Sequence, residues 1–390
     1  MKKKIGILGS TGSIGLTSLK IFKKKNLFNI KVLVANKNYN LICRQIKEYK
    51  PESFIISNKD IYNKVKKKFK SSKTKFFNNL KFLNAKQKFD ITIAAIPGIA
   101  GLPPTIQMIK LSKKILIANK ESIICGWNLI KLRALKNKTQ IIPIDSEHFS
   151  ILKLIENIKL SEINKVYITA SGGPFLNYKK KQFNKIKPEH ALKHPKWKMG
   201  KKVTIDSSTL MNKIFEVSEA QKLFNIPNNK LEILIHPNSL VHAIIELKNG
   251  IKKFIYHETS MIIPLSNAIF DGNLDIQNFY KTKKNKNTLI ENLTFKPVSE
   301  KQFPVIKLKK RINEYPSTPI IINASNEILV DHFLVKKIPF LSIFKIIMSI
   351  LKDLNYKKYA IRTTKNIDQI NEIDAWARET TLRKIKNLYG

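Results

Sequence analysis

Lys4-Ile-Gly-Ile-Leu-Gly-Ser-Thr-Gly-Ser-Ile-Gly15 is the stretch from which the fold can be read. The apolar run that ends at Leu8 stops in glycines at 9, 12 and 15, and a helical pattern follows. A strand that turns through glycines into a helix lets backbone N–H groups and the helix N-terminus approach a pyrophosphate, because no side chain stands in the way. The spacing is G-x-x-G-x-x-G, a variant of the usual dinucleotide fingerprint, and such turns also arise for purely steric reasons. The next strand end is informative in turn. Where an acid would meet the ribose hydroxyls of NAD, the chain reads Leu33-Val-Ala-Asn36-Lys37-Asn38. A cation and two amides favour a 2′-phosphate, hence NADP over NAD.

Further along, Val32 to Ala35, Phe54 to Ser57, Ile91 to Ile96, Ile115 to Ala118 and Gln140 to Ile144 are short apolar runs separated by helical patterns. That alternation predicts an α/β fold with a parallel, doubly wound sheet over residues 1–150. A mixed α+β domain is expected over 151–274, with strands at Lys165 to Ala170, Lys202 to Ile205, Glu232 to Ile235, Val241 to Leu247 and Lys252 to His257 and a helix at Met211 to Phe224. Residues 275–300 turn polar and Lys/Asn-rich and read as a linker. A helical domain over 301–390 follows, with segments at Ala324 to Val335, Ile338 to Asp353 and Ile370 to Leu388.

A chain of 390 residues suits two or three domains, and 43% hydrophobic with 26% charged residues is a globular composition. Lys345 interrupts the most apolar window, so no membrane span is predicted. Cys43 and Cys125 have no metal-ligand spacing, which fits a reducing, cytoplasmic setting. The net charge of +44 suggests nucleic acid, yet only six of the 72 basic residues are Arg and the Lys are spread along the whole chain. Readers of nucleic acid cluster their charge and use Arg forks, so no specific nucleic-acid partner is expected. The charge should instead speed the arrival of a small phosphorylated substrate.

Ile141-Ile-Pro-Ile-Asp145-Ser-Glu147-His carries two carboxylates one residue apart at a predicted strand end, a hard-cation site in outline. Glu216 is a third candidate, sharing a helix face with Asn212 and Lys213; a surface ion pair between Lys213 and Glu216 is the plainer reading. Three carboxylates suit Mg²⁺ or Mn²⁺ and not Zn²⁺. Ser171-Gly-Gly-Pro174, with Ser207, Ser208, Asn212 and Lys213 at an expected strand-to-helix turn, offers hydroxyls, an amide and a cation for a monophosphate. The alternative is that Asp206, Ser207 or Ser208 simply caps the helix. His194-Pro-Lys-Trp197-Lys-Met-Gly200 reads as a lid over a charged substrate, and Asn119-Lys120-Glu121 stands at the sheet edge where ligands bind.

In order, G-S-T-G-S-I-G, A-N-K-E-S, D-S-E-H, A-S-G-G-P-F, H-P-x-W-x-M-G and D-S-S-T-L-M-N-K-x-x-E resemble the 1-deoxy-D-xylulose 5-phosphate reductoisomerases over nearly the whole chain. The resemblance implies a Rossmann-type NADPH-binding domain, a central catalytic domain, a C-terminal helical domain and a homodimer. It also implies the NADPH- and metal-dependent conversion of 1-deoxy-D-xylulose 5-phosphate to 2-C-methyl-D-erythritol 4-phosphate. By motif position Asp145, Glu147 and Glu216 would hold the metal, and Ser146, Glu147 and Lys120 would meet substrate beside it. Ser171, His194, Ser207, Asn212 and Lys213 would take the substrate's hydroxyl and phosphate end, with Trp197 closing the lid. Gly9, Thr11, Gly12, Ser13, Ile14, Asn36, Lys37, Asn38, Asn119, Glu121 and Gly200 would face NADPH. One segment departs: the family's G-x-P-D-M-R-x-P-I stands here as His257-Glu-Thr-Ser-Met261-Ile-Ile-Pro264-Leu. Asn36 stands at a usual glycine, and asparagine is the residue next most tolerant of a positive φ.

Overall fold

The computed structural model describes residues 2–23, 27–83, 87–197, 199–279 and 293–390. The chain divides into two compact units: Met1–Ser122 with Asn128–Phe149 and Ser260–Asn287, and Ile123–Trp127 with Ser150–Thr259 and Thr288–Gly390.

Seven strands build the first unit: β1 (Lys3–Leu8), β2 (Phe28–Ala35), β3 (Ser53–Ile56), β4 (Lys75–Phe77), β5 (Phe89–Ala94), β6 (Ser112–Ile117) and β7 (Gln140–Pro143). They form one parallel sheet in the order β4-β3-β2-β1-β5-β6-β7. Ile5, Ile7, Leu33, Phe54, Ile93 and Ile115 are fully buried along it, as a sheet covered on both faces requires. The helices are α1 (Ser13–Lys23), α2 (Tyr39–Tyr49), α3 (Lys59–Lys68), α4 (Leu102–Ile109), α5 (Lys120–Asn137) and the start of α6 (Ser146–Leu154). Asn38, Asn58 and Asn119 begin α2, α3 and α5 by accepting from the amides of Leu41, Ile61 and Ser122. Strand order reverses between β1 and β5, the switch point that opens a ligand crevice in this fold.

The expected strands of this unit are present, and β4 is an addition. It has three residues at the sheet edge, too short and too lysine-rich to show a pattern. Asn36 is not among the described non-glycine residues at positive φ, so an asparagine's tolerance of that conformation is not called on there.

The second unit holds a mixed sheet of β8 (Ile163–Ala170), β9 (Leu231–Ile235), β10 (Val241–Leu247), β11 (Lys252–Tyr256) and β12 (Lys296–Pro297), in the order β11-β10-β8-β9-β12. Its helices in the middle of the chain are α7 (Pro188–Ala191), α8 (Lys201–Thr209) and α9 (Met211–Phe224). Then, after α10 (Ile262–Phe270), which belongs to the first unit, come α11 (Thr318–Leu334), α12 (Ser342–Ile350), α13 (Tyr356–Ala360) and α14 (Ile367–Tyr389). Phe175, Phe183, Phe303, Phe333 and Phe340 interlock edge to face in its core.

Residues 202–205 are helical in α8, not a strand. The run Lys-Val-Thr-Ile looks β-forming, but Thr204 and Ile205 are buried with Ser208 and Thr209, a helical spacing. Gly200 opens the helix, and its carbonyl accepts from both the amide and the hydroxyl of Thr204. Consequently Ser207 and Ser208 lie at a helix-to-helix corner, not a strand-to-helix turn. None of Asp206, Ser207 and Ser208 caps α9, whose N-cap position is Leu210. Of the expected linker, residues 280–292 lie outside the described residues, and Lys296–Pro297 pair with β9. Pro319 sits in the first turn of α11, which begins six residues before the predicted Ala324. Among the described residues no helix is long and apolar enough to cross a membrane.

Candidate functional site

The glycine loop joins β1 to α1 at the switch point. Gly9 has φ +83°, and a Cβ there would stand 2.5 Å from the Ala95 carbonyl oxygen; a Cβ on Gly15 would overlap the carbonyl of Gly9. Those two glycines are demanded by the backbone itself. Gly12 is different, since its Cβ would meet nothing nearer than 3.4 Å, so its missing side chain leaves open the space above the loop. Ser10 is locked from below by Gln45 on α2: Ser10 Oγ donates to Gln45 Oε1 and Gln45 Nε2 donates to Ser10 O, each at 2.8 Å. The sequence reading missed Gln45, though a glutamine on the apolar face of α2 between Ile42 and Ile46 was a signal. No acidic residue stands in the first turn of α1. Exposed backbone near Gly12 and Ser13, at a helix N-terminus without a competing carboxylate, fits a pyrophosphate. Asn36, Lys37 and Asn38 are exposed at the end of β2 on the same sheet edge.

Lys120 and Asp145 follow the adjacent strands β6 and β7. Asp145 is the N-cap of α6, and its Oδ1 accepts from the His148 amide at 2.9 Å and from His148 Nδ1 at 2.7 Å. Glu147 therefore lies in the first helical turn, where Ser146 Oγ donates to its Oε2 at 2.7 Å. The two carboxylates share the sheet edge through a helix start rather than through strand alternation. Burial works to raise the Asp145 pKa and Glu147 adds to that, but His148 and the Lys120 charge outweigh both and hold the carboxyl below its ordinary range. An anionic oxygen pair, oriented by a buried imidazole, is a donor set for a hard divalent cation. His148 was not singled out from sequence, although its spacing of three from Asp145 marks it as the supporting residue. The Asn119 side chain is spent on architecture, capping α5 and donating to the carbonyls of Ile96 and Gly98. Glu121 is buried in the first turn of α5.

In the second unit, Ser171 follows β8 directly and its Oγ meets His194 Nε2 at 3.1 Å. His194 Nδ1 accepts from the amides of Lys196 and Trp197, so the ring is neutral with its proton on Nε2, which donates to Ser171. Burial, and then the nearby Lys213 charge, push its pKa down to about 4. Gly172 and Gly173 take φ +83° and +63°, and a Cβ on Gly173 would stand 3.1 Å from the Ser207 carbonyl, so this loop lies directly on the α8–α9 corner. Leu210 makes that corner with φ +66°, a left-handed conformation costing a leucine about 1–2 kcal/mol. On α9, Lys213 Nζ and Glu216 Oε2 are 2.6 Å apart and Asn212 Nδ2 donates to Glu216 Oε1. The side chains of Lys213 and Glu216 are 8% and 2% exposed, so this is a buried pair and not the surface pair of the plainer reading. Trp197 stands edge-on to His242, 6.1 Å between centroids, and His242 stacks on His257 at 4.2 Å. Gly200, the N-cap of α8, is exposed with open space at its Cβ position.

Ser171, His194, Ser207, Asn212, Lys213 and Glu216 are thus gathered in the second unit. Lys120, Asp145, Ser146, Glu147 and the nucleotide loop share the sheet edge of the first.

An oxidoreductase that takes a dinucleotide and a hard divalent cation is the class of protein this sheet edge defines. Three family models match in succession: 1-deoxy-D-xylulose 5-phosphate reductoisomerase over residues 5–126, its C-terminal domain over 141–224, and the DXP reductoisomerase C-terminal domain over 258–380. The chain is 45% identical to the 1-deoxy-D-xylulose 5-phosphate reductoisomerase of Pelagibacter ubique across 95% of its own length and 97% of the relative's. The enzyme of that name from Wolbachia pipientis wMel is 38% identical over 90% of each chain. Among solved structures, the Zymomonas mobilis reductoisomerase in complex with NADPH superposes with a TM-score of 0.89 at 29% identity, covering 100% of both chains. A DOX-P reductoisomerase in complex with NADPH, fosmidomycin and magnesium gives 0.88 at 28% identity over 99% of both. The chain belongs to the 1-deoxy-D-xylulose 5-phosphate reductoisomerase family.

Proposed function

We propose that the sheet edge and the α8–α9 corner serve the family's reaction: 1-deoxy-D-xylulose 5-phosphate, NADPH and a proton give 2-C-methyl-D-erythritol 4-phosphate and NADP⁺, with Mg²⁺ or Mn²⁺ bound. The observation that carries this reading is one edge of one parallel sheet bearing both the Gly9–Gly15 loop and the anionic Asp145 beside Glu147. When bound, the cation stabilises developing oxyanion charge and NADPH supplies hydride.

The chain's own residues prepare that chemistry. Backbone amides near Thr11, Gly12, Ser13 and Ile14 cradle the pyrophosphate, and Lys37 between Asn36 and Asn38 meets the 2′-phosphate. Glu121, Gly200 and the backbone at Asn119, whose side chain is engaged within the fold, would each face NADPH. Asp145, Glu147 and Glu216 are the metal's carboxylates, with His148 orienting Asp145. Lys120 and Ser146 hold the substrate's reacting oxygens, and Lys120 adds positive charge where an enediolate would build up negative charge. Lys213, Asn212, Ser207, Ser171 and His194 take the hydroxyl and phosphate end, the neutral His194 donating through its Nε2 chain to Ser171. Trp197 excludes water. In this division residues 1–150 bind NADPH, 151–274 carry catalysis and the lid, 275–300 link, and 301–390 form a helical support. A cytoplasmic homodimer is the setting we propose.

The test is NADPH oxidation by the purified protein with 1-deoxy-D-xylulose 5-phosphate, with Mg²⁺ or Mn²⁺ and after chelation. Turnover that needs both metal and this substrate supports the reading; turnover indifferent to EDTA would overturn the metal assignment. A folded, NADPH-binding protein that ignores the substrate would overturn the substrate assignment.

A further inference from the structure

We propose that Asp206, together with Asn326 and Lys202, is a positioning residue of the substrate site: it fixes the corner between α8 and α9 and so the places of Ser207, Asn212 and Lys213. The inference rests on the reading of those three side chains as the phosphate cradle.

Asp206 is one residue short of Ser207, and its side chain is 2% exposed. Both carboxylate oxygens are engaged, one by α11 and the other by Lys202 one turn earlier on α8. Oδ1 accepts from Asn326 Nδ2 at 2.7 Å, which ties α8 to α11 across 120 residues of sequence. Oδ2 faces Lys202 Nζ at 2.9 Å, and that ammonium also stands 5.0 Å over the Phe215 ring of α9. The backbone of Asp206 is bound into the corner as well. Its carbonyl accepts from Thr209 Oγ1 at 3.1 Å, and the same hydroxyl accepts from the Met211 amide, the first residue of α9, at 3.2 Å.

Between those bonds lies Leu210 at φ +66°, a conformation that a leucine holds only where its surroundings over-determine it. The leucine is buried, and its carbonyl accepts from the Lys213 amide at 3.1 Å, so the corner sets the first turn of α9 directly. A carboxylate this deeply buried is costly unless every oxygen has a donor. Asn326 is itself fully buried, and its Oδ1 accepts no hydrogen bond from the described residues. A leucine would pack there more cheaply than this amide, so what the amide contributes is its one donated bond to Asp206. The N-A-S-N-E segment of α11 thereby acquires a role: it reaches the substrate residues through Asp206 without touching substrate.

The experiment uses the full chain with NADPH and Mg²⁺. It compares wild type, Asn326→Leu, Asp206→Asn, the exchange Asp206→Asn with Asn326→Asp, and Lys213→Met. Inorganic phosphate serves as a competing probe beside the sugar phosphate substrate. Asn326→Leu and Asp206→Asn are expected to raise the substrate KM and the phosphate inhibition constant fivefold or more, with kcat within twofold and the NADPH Kd unchanged. The exchange rebuilds an amide-to-carboxylate bond between α8 and α11 and is expected to bring both constants back to within threefold of wild type. A lowered thermal midpoint with KM and phosphate inhibition unchanged would make Asp206 merely structural and overturn the proposal, as would an exchange that restores nothing. Should Asn326→Leu fail to fold, Asp206→Asn, which changes no volume, decides alone. Lys213→Met separates the two readings: if it leaves phosphate inhibition untouched, the cradle assignment fails; if it weakens phosphate while the Asp206 and Asn326 variants do not, the positioning role fails.

Discussion

Lys213→Met is the perturbation whose size the structure fixes best. The lysine and Glu216 form an ion pair at 2.6 Å with side chains 8% and 2% exposed. Removing the cation leaves a carboxylate in a site built for a pair, and breaking a buried pair from one side costs about 3–5 kcal/mol. For a folding unit of roughly two hundred residues this lowers the thermal midpoint by about 6–20 °C, at about 2–4 °C per kcal/mol. Adding Glu216→Gln removes the stranded charge while Asn212 can still bond the new amide's oxygen. The double variant should therefore recover stability, with a coupling of about 2–3 kcal/mol in the cycle. The assay is urea unfolding of the metal-free protein, so that loss of a metal ligand does not enter the comparison. Separately, loss of a charged phosphate contact should cost about 1.5–3 kcal/mol in kcat/KM, roughly ten- to a hundredfold. A single variant within 0.5 kcal/mol of wild type, or a cycle without coupling, would refute the buried-pair reasoning. Unchanged kcat/KM would refute the phosphate contact.

Gly9→Ala should destabilise the protein by several kcal/mol, because φ is +83° and the Ala95 carbonyl is 2.5 Å from the new Cβ, whereas Gly12→Ala should keep stability within about 0.5 kcal/mol and weaken NADPH at least tenfold by fluorescence titration. Asp145→Asn keeps an N-cap for α6 but loses the anion that His148 and Lys120 favour, so the midpoint at neutral pH should fall while the Mg²⁺ concentration for half-maximal activity rises at least tenfold; an unchanged metal requirement would remove Asp145 from the ligand set. His194 has its pKa pushed down to about 4, so it binds fewer protons folded than unfolded between about pH 4 and its ordinary value near 6.5, and stability should rise with pH across that window and level off above it. His194→Gln should flatten that rise, seen in urea midpoints measured from pH 4.5 to 7.5, and should not shift the acid limb of kcat/KM.

What the sequence made legible is what short-range chemistry decides. Glycines at 9 and 15 announce themselves because a Cβ at either would overlap backbone atoms, and the alternation of apolar runs fixes a parallel sheet. Asp145 and Glu147 stand together at the sheet edge for a reason other than the one the sequence suggests. Strand alternation was the argument, but Asp145 caps α6, and the strand ends two residues earlier at Pro143. Both carboxylates still lie at the start of α6, so the proposed cation site keeps its residues while its local geometry changes. Residues 202–205 failed because β-branched residues carry the same local preference in a strand and in a helix held by tertiary burial. Nothing within four residues of Val203 says that its neighbours Thr204 and Ile205 will be buried on one helical face.

The partners of these loops escape a local reading for a single physical reason. Gln45 grips Ser10 from 35 residues away, and Asn326 reaches Asp206 from 120. Each is a polar side chain on the buried face of a helix, where periodicity expects an apolar one. Such a residue is costly to bury unless it is hydrogen-bonded, so its presence is itself a signal that a loop elsewhere is being held. The loops so held are those to which we assign the chemistry: Gln45 bonds the glycine turn at Ser10, and Asn326 bonds Asp206 next to Ser207. Loops poised to bind anions expose their own amides and cannot satisfy themselves internally. Their rigidity has to be imported from distant helices, and its trace in the sequence is an amide or carboxylate out of place on an apolar helix face, as at Gln45, Asp206 and Asn326.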